Sequence, residues 1–159
     1  MENKDYDPKI MEEVLKLSEE NIENGGGPFA AAVVHRGEII AMGANRVTAS
    51  NDPTAHAEVM AIRKACEKLT TFELEDCEIY SSCEPCPMCL GAIYWARIPK
   101  LYYCNTHLDA KEIGFDDSFI YDELGKDPQQ RRVIMKRMLE PRAIEAFRIW
   151  TTKANKTLY

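Results

Sequence analysis

Cys77-Glu-Ile-Tyr-Ser-Ser-Cys-Glu-Pro-Cys-Pro-Met-Cys89 sets the expected fold. Cys77 to Ser81 reads as a buried strand that ends on a cysteine motif, Ser82 to Cys89. Met88 to Ala96 continues as a helix that is apolar nearly all round, so neighbours should cover most of its sides. Pro99 to Cys104 reads as the next strand. Strand, helix and strand in that order predict parallel pairing through a right-handed crossover.

Upstream, Phe29 to His35 is an apolar run bounded by turn signals, hence a buried strand. Arg36-Gly37 is a hairpin turn, and Glu38 to Ala44 returns as a second strand. Asn45 to Pro53 is a polar loop leading to a helix in which Val59, Ile62, Cys66 and Leu69 repeat at three- and four-residue steps. The chain thus carries a βαβαβ pattern, and ligands of such sheets gather beyond the carboxyl ends of the strands. Before it, Ile10, Met11, Val14, Leu15, Leu17 and Ile22 predict an amphipathic helix over residues 8–24, started by Pro8 and ended by Gly25-Gly-Gly27. Downstream, Asp109 to Ile113 reads as a short helix and Gly114 to Ser118 as a loop. Val133 to Met138 fits a fifth strand or a helical run equally, and Ala143 to Asn155 reads as a final helix. Repeats, low-complexity tracts and linkers are absent from the sequence, so residues 1–159 are expected to form one domain.

Three residue types with metal-binding chemistry fall at the expected helix starts. Cys86 and Cys89 are three apart and share one helical face, with Pro87 suited to the first helical position. A helix N-terminus favours thiolate over thiol. His56 lies two residues before Glu58, a spacing that would point the two about 200° apart inside one helix. His56 is therefore placed in the turn entering the helix, where both side chains reach a common point. His56, Cys86 and Cys89 make three protein ligands, the number taken by a catalytic zinc whose fourth position stays open. Zinc lowers the pKa of its water to about 7. Glu58 beside it would take the proton and hand it to an amino leaving group.

Each residue also has a plainer reading. A lone histidine is more often structural, but the downstream cysteine pair reverses that balance. Cys83, Cys86 and Cys89 could open an iron–sulfur run, yet a fourth cysteine at the next three-residue step is missing. A thioredoxin-like pair would leave His56 and Glu58 idle. Glu58 could merely favour a helix N-terminus by charge. Cys83 is surplus to a three-ligand zinc and reads as packing, while Cys66, Cys77 and Cys104 read as small buried hydrophobes.

His56-Ala-Glu58 followed by Pro85-Cys-Pro-Met-Cys89 matches the zinc nucleobase deaminase signature. On these residues the chain resembles the cytidine deaminase superfamily. Gly26-Gly-Pro-Phe-Ala30, Asn51-Asp-Pro-Thr54, Ser82-Cys-Glu-Pro85, Ala92-Ile-Tyr-Trp-Ala96 and Gly114-Phe-Asp-Asp-Ser-Phe119 resemble its small bacterial guanine deaminase branch. The resemblance runs from about residue 10 to the C-terminus. It implies a three-layer α/β/α fold with a mixed five-stranded sheet, one zinc per chain, and guanine turned into xanthine. It implies Asn45 and Asp117 as readers of the base, with Asp116 less favoured and Glu145 a further candidate. It also raises Phe29 and Trp95 from core residues to base-packing ones. A homodimer is implied, with a C-terminal segment over residues 140–159 that ends at Tyr159 and covers an active site or swaps between subunits. The chemistry agrees at one point: an ionised Asp117 would accept from the N1–H and 2-amino donors of guanine, whereas adenine offers only an acceptor at N1.

Twenty basic against 26 acidic residues give a net charge of −6, which disfavours a nucleic-acid partner. Arg131, Arg132, Lys136, Arg137 and Arg142 form a local exception that reads as a solvated face. The sequence has no apolar run near the roughly 20 residues needed to span a bilayer, and the acidic N-terminus lacks a signal core. A cytoplasmic enzyme acting on a small-molecule nucleobase is expected. Rival readings are a tRNA adenosine deaminase, a cytosine, cytidine or deoxycytidylate deaminase, and, outside enzymes, a zinc-stabilised binding module.

Overall fold

Arg36 and Gly37 both take left-handed backbone values, φ 52° and 82°, which a two-residue hairpin needs. They join β1 (Ala30–His35) to β2 (Glu38–Ala44) in an antiparallel pair with an irregularity between Val33 and Val34. In this computed structural model, which describes residues 5–159, β3 (Cys77–Cys83) lies antiparallel on the other edge of β1. β4 (Lys100–Asn105) runs parallel to β3. The sheet is therefore mixed, with order β2-β1-β3-β4.

Two expectations are corrected here. Parallel pairing of successive strands holds only for β3 and β4, because β1 hydrogen-bonds between β2 and β3 and the intervening helix must cross over it. The sheet has four strands among the described residues, not five. Val133 to Met138 is neither strand nor helix. It falls in the second of two compact units, Tyr121–Tyr159, which contains no strand for it to pair with. Val133 and Ile134 are 73% and 81% exposed, so neither packing nor a hydrogen-bond ladder selects a regular form.

In the first unit, Met1–Ile120, alternate residues of β1 face opposite sides. Ala31 and Val33 pack with Ala57, Ala61, Ile62 and Ala65 of α3 (Ala57–Leu69) and Ile93 of α4 (Pro87–Trp95). Ala30, Ala32 and Val34 pack with Ile10, Met11 and Val14 of α1 (Pro8–Glu23). Helices thus cover both faces and give three layers. Gly43 of β2 lets α3 lie against the sheet: a Cβ there would collide with the Ala57 carbonyl oxygen and stand 2.5 Å from the Ala61 nitrogen.

Helix ends differ from expectation where capping decides them. α1 starts at Pro8 as expected, where Asp7 accepts from Lys9 N. A short α2 (Val47–Ser50) interrupts the expected polar loop. α5 (His107–Glu112) begins two residues early because Thr106 and Asp109 form a reciprocal capping box. α6 (Ser118–Gly125) was not expected, and the boundary between the two units falls within it. α7 (Glu145–Thr152) is shorter than the expected 143–155, with a 3₁₀ turn, Pro141–Ile144, before it. The expected covering of α4 is not found: Cys89 and Ile93 are buried, but Tyr94 and Trp95 are 71% and 63% exposed. In the second unit, Arg131 donates to the carbonyls of Glu123 and Leu124, and Arg132 pairs with the Glu123 carboxylate. That part of the arginine cluster serves internal anchoring. No helix among the described residues is long and apolar enough to cross a membrane.

Candidate active site

Two helix N-termini converge at the carboxyl end of β3. His56 is the residue before α3, in extended backbone (φ −71°, ψ 155°), as the two-residue spacing to Glu58 requires. Cys86 holds the same position before α4 (φ −64°, ψ 168°), with Pro87 at the first helical position. Cys89 follows one turn later and is fully buried. His56 Nδ1 lies 3.6 Å from Cys86 Sγ and 3.5 Å from Cys89 Sγ.

These separations test the donor set against zinc. Zinc–nitrogen and zinc–sulfur bonds of about 2.05 and 2.3 Å at a tetrahedral angle put nitrogen and sulfur about 3.6 Å apart. The observed edges match that value, and the three donor atoms all lie within 4.8 Å of one another. The site also prepares an anionic ligand. A hydrogen bond from Cys89, reinforced by His56, draws the Cys86 thiol down to about 4. Cys89, as the donor to Cys86, is pushed the other way. The hydrogen bond to Cys86 raises His56.

Glu58, in the first turn of α3, is 7% exposed, and its Oε1 accepts from Ser81 Oγ at 3.1 Å. Burial raises its carboxyl above the usual range. It shares one cavity of about 640 Å³ with His56, Cys86, Phe29, Asn45 and Asp117. The Phe29 ring stands edge-on to Phe115, with centroids 4.9 Å apart. Asn45 Oδ1 accepts from Val47 N, which fixes the side chain at the cavity wall.

Asp116 and Asp117 separate clearly. Asp116 accepts from Ser118 N and pairs with Lys111 at 3.5 Å, and the Ser118 bonds hold its carboxyl below the usual range. Asp117 Oδ1 is buried with no hydrogen-bond partner, and burial raises its carboxyl. An unpaired buried acceptor costs free energy unless a ligand supplies donors.

Trp95 does not line this cavity, and Glu145 and Tyr159 belong to the second unit. Cys83 lines it, but burial pushes its thiol up to about 11, which agrees with a packing role. Two cavity residues escaped the sequence reading. Glu84 Oε2 accepts from both the backbone N and Nδ1 of His107, at 3.0 and 2.8 Å. Glu84 lay inside the quoted cysteine motif and His107 is one of three histidines, but their pairing spans 23 residues and has no local signal.

The family model of the cytidine and deoxycytidylate deaminase zinc-binding region matches residues 4–105. Guanine deaminase of Bacillus subtilis is 51% identical over 151 residues, 94% of this chain and 97% of that protein. A crystal structure of the guanine deaminase from Bacillus subtilis matches with a TM-score of 0.94 at 49% identity, covering 97% of this chain and 99% of that one. The tRNA-specific adenosine deaminase of Aquifex aeolicus is 41% identical over 121 residues, 76% of this chain and 77% of that protein. A solved guanine deaminase from Nitrosomonas europaea matches at 37% identity and a TM-score of 0.65, covering 76% of this chain and 66% of that one.

Proposed function

The chain belongs to the family of the cytidine and deoxycytidylate deaminase zinc-binding region, and from that premise we propose that it hydrolyses guanine to xanthine and ammonia. The observation that carries the substrate is Asp117: its buried Oδ1 has no hydrogen-bond partner, and it lines the same cavity as His56 and Cys86 of the metal-type cluster. Guanine offers two adjacent donors, N1–H and the 2-amino group, to such a carboxylate. Similarity to the Bacillus subtilis guanine deaminase over nearly the whole chain supports the same substrate.

The residues take these roles. His56 Nδ1, Cys86 Sγ and Cys89 Sγ hold one zinc per chain. When bound, zinc supplies the Lewis acidity that makes water a nucleophile near neutral pH. Glu58, raised by burial, takes the proton of the attacking water and delivers it to the departing amino nitrogen. Asp117 and Asn45 fix the two edges of the base, and Phe29 packs on its ring. Attack of water at C2 with loss of the 2-amino group as ammonia leaves the 2-oxo group of xanthine, which balances hydrolysis.

The chain acts as a homodimer, with residues 140–159 and Tyr159 covering an active site or exchanging between subunits, and Trp95 closing against the base. Support comes from exposed apolar groups: Tyr94 and Trp95 on α4, and Phe147, Leu158 and Tyr159 at 71–74% in the C-terminal unit. Cys66, Cys77, Cys83 and Cys104, the four cysteines outside the metal cluster, are unbridged thiols, which supports a cytoplasmic setting. Ammonia release from guanine, adenine, cytosine, cytidine and a tRNA anticodon stem tests the substrate. Guanine should react fastest; faster release from any other member of that panel overturns it.

A further inference from the structure

Asn21 lies on α1, outside the residues that line the cavity, and is 5% exposed. Its side-chain amide nitrogen donates to two backbone carbonyls, Gly27 O at 2.8 Å and Asn45 O at 3.0 Å. Two acceptors facing one atom fix which end of the amide is nitrogen. These carbonyls belong to different segments. Gly27 sits in the turn before β1 that leads into Phe29, and Asn45 closes the end of β2. Both segments form the cavity wall through Gly25, Gly26, Gly27, Phe29, Asn45 and Thr48.

Neighbouring bonds converge on the same clamp. Gly26 N donates back to the Asn21 carbonyl at 2.8 Å, Phe29 N to Gly27 O at 2.8 Å, and Asn45 N to Phe29 O at 3.1 Å. Thr48 Oγ1 bridges to Gly25 O at 3.3 Å. The approach is close enough to demand glycine: a Cβ on Gly26 would run into Asn21 Nδ2 and stand 2.8 Å from Asn45 O. The β1–β2 pairing alone sets the strand ends, but the turn beyond them needs this third point.

We propose that Asn21 is a positioning residue for substrate recognition: its buried amide ties the Phe29 turn to the Asn45 turn and so sets the distance between the ring that packs on the base and the amide that reads it. Asn21 touches neither substrate nor metal. This rests on the guanine deaminase function proposed above. The metal ligands and Glu58 sit at the N-terminal ends of α3 and α4, outside the clamp.

The test compares Asn21→Ala and Asn21→Asp with the wild type on guanine, with zinc content and melting temperature measured in parallel. Asn21→Asp keeps the shape but turns an acceptor towards two carbonyls, so it should be the worse of the two. Loss of one such hydrogen bond corresponds to roughly a tenfold change. We expect KM for guanine to rise about tenfold or more, kcat to stay within about threefold, and zinc to stay near one per chain. KM within about twofold of wild type in both folded variants overturns the proposal, as does a kcat that falls with zinc content at unchanged KM. Should neither variant fold, Gly26→Ala breaks the same clamp from the other side and must raise KM in the same way; an unchanged KM there also overturns it. A wild type inert towards guanine strikes the function itself, whereas an active wild type with unchanged variants strikes only Asn21.

Discussion

Glu58 and Asp117 are both carboxylates raised by burial, yet their surroundings differ. Glu58 accepts a hydrogen bond from Ser81, which holds the carboxylate in the cavity beside the metal-type cluster, within reach of a reacting group there. Glu58→Gln keeps the volume and the hydrogen-bonding capacity but cannot carry a proton. It should fold, retain zinc, and lose roughly 10²–10⁴-fold in turnover, read from ammonia release by zinc-loaded protein. Asp117 has no donor for its buried oxygen, whereas Asp116 is satisfied by Ser118 and Lys111. Asp117→Ala should therefore lower kcat/KM for guanine by roughly 10–100-fold with zinc retained, while Asp116→Ala should cost far less. Equal losses in the two variants would remove Asp117 from substrate reading. The two aspartates are adjacent and chemically identical, and the resemblance favoured Asp117 without a physical reason. The orphaned oxygen supplies one.

At the scale of elements, the site depends on how closely α3 approaches β2. Gly43 permits that approach, and its added Cβ would meet backbone atoms of Ala57 and Ala61 that cannot rotate away. Ala57 directly follows His56, so the same displacement would move a ligand. Gly43→Ala should cost about 1–3 kcal/mol as overpacking and lower the zinc affinity, measured by melting and by chelator competition. The cap of α5 gives a pH signature. Hydrogen bonds from Thr106, backbone and then side chain, hold the Asp109 carboxyl below its usual 3.8. A depressed carboxyl contributes stability above its unfolded pKa and loses it as pH falls through the folded value. The Thr106 amide resonance should therefore titrate with its midpoint below 3.8, and Asp109→Asn should abolish that titration. Helix starts of this kind were partly legible, since Pro8 and Pro87 mark theirs. The start of α5 was not, because Thr106 and Asp109 form a cap only when both side chains turn inward.

For the whole molecule, exposed apolar surface is the feature that a single chain leaves unresolved. Ile134, Met138 and Leu139 are 81–85% exposed in the C-terminal unit, and α4 presents Tyr94 and Trp95. A chain with this surface should associate. Sedimentation should give twice the chain mass, and Trp95→Glu should shift the protein towards monomer with a higher KM for guanine. A monodisperse, fully active monomer would contradict the homodimer.

The meeting of His56, Cys86 and Cys89, with Glu58 in the adjoining cavity, was readable from the chain because metal chemistry restricts both residue type and spacing. The strands β1 to β4 and helices α1, α3 and α4 were readable because buried faces leave periodic apolar patterns. Tertiary structure decided the rest. It placed β1 between β2 and β3, left Val133 to Met138 without a strand to pair with, joined Glu84 to His107, and brought Asn21 to two turns. Each of these depends on hydrogen bonds between segments far apart in sequence, and a local pattern records that a group is polar or apolar without recording which distant group it will meet.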